Sequence, residues 1–150
     1  MILSKKEVEK RKKILKKRIK LKSKYGYFSG KLNPGWIDDG REMQLENDFY
    51  FYEKTKKGYR QWKAENGSIV DGSSIPSAVW SLLGLSPFVG NHRRASVNHD
   101  VECKKKRRPY QEVHKMYHNG CLAGGTNRFM AGLLYFFVKN WGPRWQRKEY

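Results

Sequence analysis

Apolar positions thicken from the front of this chain to the back, and their spacing changes on the way. Val8, Leu15 and Ile19 form a narrow stripe at helical spacing among many Lys and Arg. Ser4-Lys5-Lys6-Glu7 opens that stretch as a capping box, in which hydroxyl and carboxylate each satisfy an amide of the first turn. Good helix formers run on to about Lys24 and Gly26 stops them, so a leading helix is expected.

From Tyr25 to Gly40 the chain is rich in Gly, Asn, Pro and aromatics, with Asn33-Pro34-Gly35 as a turn signal. That stretch reads as a linker or an irregular strand pair. Asp48-Phe49-Tyr50-Phe51-Tyr52 and Tyr59-Arg60-Gln61-Trp62-Lys63 then predict a hairpin turning at Lys57-Gly58. Asn66-Gly67 makes a further tight turn into Ser68-Ile69-Val70. A small antiparallel sheet of three or four strands accounts for these runs.

After Pro76, which suits a first helical turn, the period becomes helical. Val79, Trp80, Leu82 and Leu83 give an apolar face, and Gly84 ends it. A second helix spans about Asn91 to Glu102, with Ala95 and His99 on one side, and Lys104 to Pro109 interrupts it. A third runs from about Tyr110 to Asn119, carrying Tyr110, Val113, His114, Tyr117 and His118 along one broad side; Gly120, Gly124 and Gly125 break it. Thr126 caps a last helix through about Asn140, which Trp141-Gly142-Pro143 stops. Phe129, Met130, Leu133, Leu134, Phe136 and Phe137 make that helix apolar almost all round, which places it at the centre of the core. The fold class is therefore α+β: a small antiparallel sheet, then a three- to four-helix half, with an N-terminal basic helix. Residues 1–26 are expected to form a basic helical arm and 27–150 a single domain.

Composition alters this picture in one respect. The formal charge is +18, and the stretch from Lys5 to Lys24 holds twelve Lys and Arg against Glu7 and Glu9 alone. So concentrated an excess repels itself and calls for a polyanion: nucleic acid, anionic lipid or an acidic protein. The expected contacts are Lys10, Arg11, Lys12, Lys13, Lys16, Lys17, Arg18 and Lys20 in the arm, with Lys104, Lys105, Lys106, Arg107 and Arg108 as a second group. Two cysteines make no disulfide framework. The longest apolar run, Leu133 to Val138, is far short of a membrane span. Charges at Lys5 and Lys6 stand where a signal peptide needs its apolar stretch, so export by that route is not expected.

Candidate chemistry lies between Val70 and His118. Asp71, in the turn Asp71-Gly72-Ser73-Ser74, either accepts the amides of its own turn or serves as an oxygen ligand. His99-Asp100 offers an imidazole nitrogen beside a carboxylate, donors that suit zinc or manganese. His114 and His118 share a helical face at i and i+4, a spacing used by zinc sites, without the glutamate base of the protease motif. Asp71, His99, Asp100 and His114 are the expected ligands of one divalent ion, and Asp71, His99 and Asp100 the expected catalytic groups. Cys103, His114, His118 and Cys121 form a lower-ranked tetrad for a structural zinc. No Gly-x-Ser-x-Gly and no Gly-Lys-Ser/Thr occurs, so serine-nucleophile and phosphate-loop chemistry have no motif to stand on. Trp141 and Trp145, among Arg144, Arg147 and Lys148, either stack on bases or cover the edge of the core; Trp141 is expected to do the second.

Three of these stretches resemble a family of small phage and prophage proteins of unassigned function. The family shows a strand ending in Asp-Gly-Ala-Ser-Ile-Pro, a Trp-x-Leu-Leu-Gly helix and an Ala-x-x-x-His-Asp helix. Here they read Asp71-Gly72-Ser73-Ser74-Ile75-Pro76, Trp80-Ser81-Leu82-Leu83-Gly84 and Ala95-Ser96-Val97-Asn98-His99-Asp100. The resemblance covers about Tyr59 to Gly142 and leaves the basic helix outside. Where the family tends to have Asp, this chain has His114, an exchange most natural between metal ligands or hydrogen-bond acceptors. The resemblance implies a phage setting, in the virion or the host cytoplasm, and brings no activity. Two functions are expected from all this. One is a virion-associated or accessory protein docked by its arm on DNA or an acidic virion protein; the other is a small metal-dependent hydrolase acting on a phosphodiester or on cell-wall material.

Overall fold

A computed structural model describes residues 4–22, 24–30, 32, 34–36, 42–72, 74–86 and 89–146, with backbone alone for 15–22 and 34–36. Among the described residues, helix α1 (Lys5–Lys22) comes first, followed by six strands: β1 (Gly26–Ser29), β2 (Pro34–Trp36), β3 (Met43–Leu45), β4 (Phe49–Thr55), β5 (Gly58–Ala64) and β6 (Ile69–Val70). The helical half is α2 (Ser77–Leu83), α3 (Arg93–Lys105), α4 (Tyr110–Gly124) and α5 (Arg128–Trp141). The α+β reading holds.

The capping box at the start of α1 forms as expected: the Ser4 amide donates to the Glu7 carboxylate at 3.0 Å, and the Glu7 amide to Ser4 Oγ at 3.3 Å. The β4–β5 hairpin also forms, with Phe51 opposite Trp62. Its alternation buries Phe49, Phe51, Trp62 and Ala64 and turns their neighbours toward water. The strands divide into two antiparallel sheets of three, ordered β1-β4-β5 and β2-β3-β6, rather than one sheet. β1 pairs with β4 across more than twenty residues of chain, Gly26 facing Glu53. Phe28 on β1 packs against each of the three clusters of buried side chains that make up the core.

Two helical expectations need correction. Helix α4 does not stop at Asn119 but passes through Gly120 to Gly124. Gly120 sits where α3 crosses; a Cβ there would stand 2.9 Å from Ala95 Cβ, so the glycine permits close approach instead of ending the helix. Helix α5 is not the centre of the core. It buries Ala131, Leu134 and Val138, while Phe129 is 79% and Phe136 51% exposed. Its cap is Asn127, whose side chain accepts from the Met130 amide, and not Thr126.

The central helix is α3, which is polar in composition. Every residue from Ala95 to Cys103 is buried, including Ser96, Asn98, His99, Asp100 and Glu102. Buried polar groups need partners, and finding those partners locates the site.

Candidate functional site

Helix α3 presents two polar faces. On one, Asp100 accepts from the Asp71 backbone amide at 3.1 Å, and Lys104 Nζ reaches both carboxylates at 3.3 Å. Burial pushes the Asp100 carboxyl up, and Lys104 partly offsets this. The ammonium thus stands where the sequence suggested a metal ion between these two aspartates.

On the other face, His99 is fully buried and meets His114 of α4, His99 Nε2 lying 2.9 Å from His114 Nδ1. The other nitrogen of each ring is also engaged: His99 Nδ1 faces Ser74 Oγ at 3.1 Å, and His114 Nε2 faces the Pro143 carbonyl at 2.9 Å. A carbonyl only accepts, so His114 carries its proton on Nε2 and leaves Nδ1 bare. Cys103, one helical turn after His99, brings its Sγ to 3.6 Å from His99 Nε2. Rings close the space: Tyr117 lies 4.7 Å from His99, and Tyr110 and Trp145 lie 5.7 and 6.3 Å from His114, centroid to centroid.

Desolvation, helped by the neighbouring His114, holds His99 well below the ordinary histidine value. His114 is lowered too, chiefly by burial. Burial likewise pushes the Cys103 thiol far up. The cluster is therefore neutral, and it could take up a cation only by giving up protons.

Of the four expected ligands, His99 and His114 come together, while Asp71 and Asp100 pair elsewhere. Among the described residues, the group whose donor atoms lie in mutual coordinating range is His99, Cys103 and His114, within 4.8 Å of one another. Cys103 and His114 belong to the lower-ranked tetrad. Its other members are not in that group: His118 stacks on Tyr135 at 5.0 Å, and Cys121 is buried in the apolar cluster with Val79, Trp80 and Leu134, where burial pushes its thiol up to about 12. The i, i+4 spacing of His99 and Cys103 was the available signal for this pairing. Nothing in the sequence points to Ser74 or Pro143.

The second basic group is largely occupied. Lys105 and Arg107 pair with Glu65, Arg107 also pairs with buried Glu102, and Arg108 stacks over the Trp62 ring at 4.9 Å. Lys106, in the left-handed conformation that closes α3, stays exposed. Trp145, not Trp141, covers the core edge: its Nε1 donates to the Arg108 carbonyl at 2.9 Å, while Trp141 is 59% exposed. In α1, every described side chain from Lys5 to Ile14 is exposed. Lys10, Arg11, Lys12 and Lys13 are among them; the side chains of Lys16, Lys17, Arg18 and Lys20 lie outside the described residues. A separate cleft of about 550 Å³, lined by Lys54, Lys56, Arg60, Glu112 and Lys115 among others, holds none of the expected site residues.

Residues 43–138 match the family described as "Protein of unknown function (DUF1353)". The chain is also similar to two proteins of Sinorhizobium fredii (strain NBRC 101917 / NGR234). Uncharacterized protein y4jT is 35% identical over 123 residues, which cover 81% of this chain and 35% of y4jT. Uncharacterized protein y4iH is 32% identical over 107 residues, covering 71% of this chain and 43% of y4iH. The chain thus spans less than half the length of either relative. No solved structure matches it. The matched stretch contains Ser74, His99, Cys103 and His114, and excludes α1.

Proposed function

The chain belongs to the DUF1353 family of proteins of unknown function, and beside that family region we propose that it carries a polyanion-docking module, with α1 as its docking element and DNA as its ligand. One observation carries this reading. The described side chains of α1 present Lys5, Lys6, Lys10, Arg11, Lys12 and Lys13 to solvent against only Glu7 and Glu9. Glu7 is engaged in its own cap, and Glu9 reaches Lys12 only at 4.0 Å. Phosphates would supply the counter-charge that Glu7 and Glu9, the carboxylates within α1, do not. The phage-type accessory role, in a virion or a host cell, stays part of this proposal, as does an acidic protein as the other class of partner.

A metal-dependent hydrolase draws support from the meeting of His99 and His114. It is the weaker reading, because Asp71 and Asp100 hold Lys104 instead of joining the imidazoles, and His99 has no exposed surface for a substrate to reach. Fluorescence anisotropy with a labelled DNA duplex, comparing the full chain with one lacking residues 1–24 across a salt series, tests the docking proposal. Loss of binding on deletion is expected; undiminished binding would remove α1 from the proposal.

A further inference from the structure

The meeting of α3 and α4 gathers three donor atoms of the kind zinc takes, and we infer that His99 Nε2, Cys103 Sγ and His114 Nδ1 together hold one zinc-type divalent ion inside the fold. The ligand set is not the one expected from the sequence, since a thiolate replaces both carboxylates. Nor does it depend on α1 or on DNA.

Geometry carries the inference first. The nitrogens are 2.9 Å apart, and Sγ lies 3.6 Å from His99 Nε2. Around a tetrahedral ion with Zn–N of about 2.0 Å and Zn–S of about 2.3 Å, such donors stand roughly 3.3 to 3.6 Å apart. To take an ion the nitrogens would separate by a few tenths of an ångström, and Cys103 Sγ, which also lies 3.9 Å from His99 Nδ1 and so sits beside the ring, would move toward the Nε2 lone pair. His99 and Cys103 lie one turn apart on a single face of α3, and His114 closes the triangle from α4.

The outward-facing nitrogens agree. A ligating imidazole donates its second N–H to an oxygen, and this fixes its tautomer and ring orientation. Both rings have that oxygen, Ser74 Oγ for His99 and the Pro143 carbonyl for His114. With those N–H groups directed outward, two bare lone pairs face each other, and either a proton or a cation must lie between them. In the ion-free protein it is a proton: His99 Nε2–H donates to His114 Nδ1, and the Ser74 hydroxyl donates to His99 Nδ1. Uptake of a divalent ion transfers the ring proton of His99 from Nε2 to Nδ1 and makes Ser74 Oγ its acceptor. The Cys103 thiol proton leaves to solvent, so the site gains one net positive charge. No fourth protein donor lies in range among the described residues, so water completes the tetrahedron. Packed between Tyr117, Tyr110 and Trp145, the ion would tie α3 to α4 and, through His114 and Pro143, to the segment after α5. Its role is to stabilise the fold.

The full chain, stripped with a chelator under reducing conditions and titrated with cobalt(II), tests this. Uptake of one equivalent is expected, with the thiolate-to-cobalt charge-transfer band and the visible bands of a tetrahedral ion. Both should persist in Cys121→Ser, and the charge-transfer band should vanish in Cys103→Ser. Zinc should displace the cobalt and raise the thermal midpoint by several degrees. Zinc-edge X-ray absorption on the unsubstituted protein, which requires no variant to fold, should show one sulfur and two imidazoles. A folded protein that takes up no cobalt, a charge-transfer band that survives Cys103→Ser, or a zinc shell without sulfur would each overturn the assignment. The centre would then be the neutral chain from Ser74 through His99 and His114 to Pro143.

Discussion

His99 Nε2 stands 2.9 Å from His114 Nδ1, and that contact joins α3, the polar helix at the centre of the core, to α4 and the segment beyond α5. Removing the His99 ring takes away a fully buried side chain and leaves Ser74 Oγ and His114 Nδ1 without their partner. His99→Ala should cost about 2–4 kcal/mol, from the cavity and the stranded polar atoms together. His118, half-buried against Tyr135, serves as the control; His118→Ala should cost under about 1 kcal/mol. Urea unfolding of the two variants in chelator checks this, and equal losses would mean that the imidazole pair contributes nothing special.

Acid should loosen the ion-free protein before it reaches the carboxylate range. Burial holds His99, His114 and His118 below the ordinary histidine value; Arg144 near His114 and Lys115 near His118 add to the effect. Below about pH 6.5 the unfolded chain binds protons that the folded chain refuses. Stability is therefore whole above that pH and is lost as pH falls toward the folded values. Asp100 and Glu102 act with the opposite sign. Burial raises both, so their penalty is relieved on acidification and the loss is shallower than three histidines alone would give. Calorimetry in chelator should find a thermal midpoint level from about pH 8 to 6.5 and falling below that. A midpoint level down to about pH 5 would mean that the imidazoles titrate normally.

Local signals made much of this fold legible. The Ser4–Glu7 box, the turn at Asn66-Gly67 and Pro76 mark real boundaries because each acts on its own few residues, and the hairpin turn expected at Lys57-Gly58 forms one residue earlier, at Lys56-Lys57, with Gly58 opening β5. Pairings between distant segments left no such mark, so the β1–β4 partnership and the division into two sheets could not be read. Hydrophobicity misplaced the core for a physical reason. It reports what a side chain would gain from burial, whereas α3 is buried because its polar groups find partners: Ser96 with Tyr117, Asp100 with Lys104, Glu102 with Arg107. The site suffered in the same way. The types His, Cys and Asp were visible, but only the fold directs Asp100 to Lys104 and Cys103 to His99.

Two glycines in neighbouring helices should respond oppositely to the same substitution. Gly120→Ala places a methyl 2.9 Å from Ala95 Cβ, which forces α3 and α4 apart at a cost of about 1–3 kcal/mol. Around Gly132, inside α5, a new Cβ meets nothing within 4 Å. Gly132→Ala should therefore stabilise by about 0.5–1 kcal/mol through the lower helix cost of alanine. Thermal melts of the two variants check the pair. A neutral Gly120→Ala would contradict the close crossing of α3 and α4.

Salt dependence separates docking through α1 from adhesion by net charge alone. If Lys12 and Lys13 each neutralise a phosphate, the slope of log affinity against log salt carries about 0.9 for each of them on duplex DNA. The double variant Lys12→Ala/Lys13→Ala should then bind more weakly at every sequence tested, with a slope smaller by about 2. Removing the same number of charges from the end of α3 and the loop after it should do much less. Lys105 and Arg107 are already paired with Glu65 and Glu102, so replacing them frees carboxylates as well as removing cations. Lys105→Ala/Arg107→Ala should thus lose stability, because buried Glu102 is left without its guanidinium, at a cost of about 1–3 kcal/mol. Its salt slope should stay close to that of the parent. Titrations of both variants at several salt concentrations, set beside their urea midpoints, distinguish the two basic groups. Equal reductions in slope would assign the binding to overall charge rather than to the leading helix.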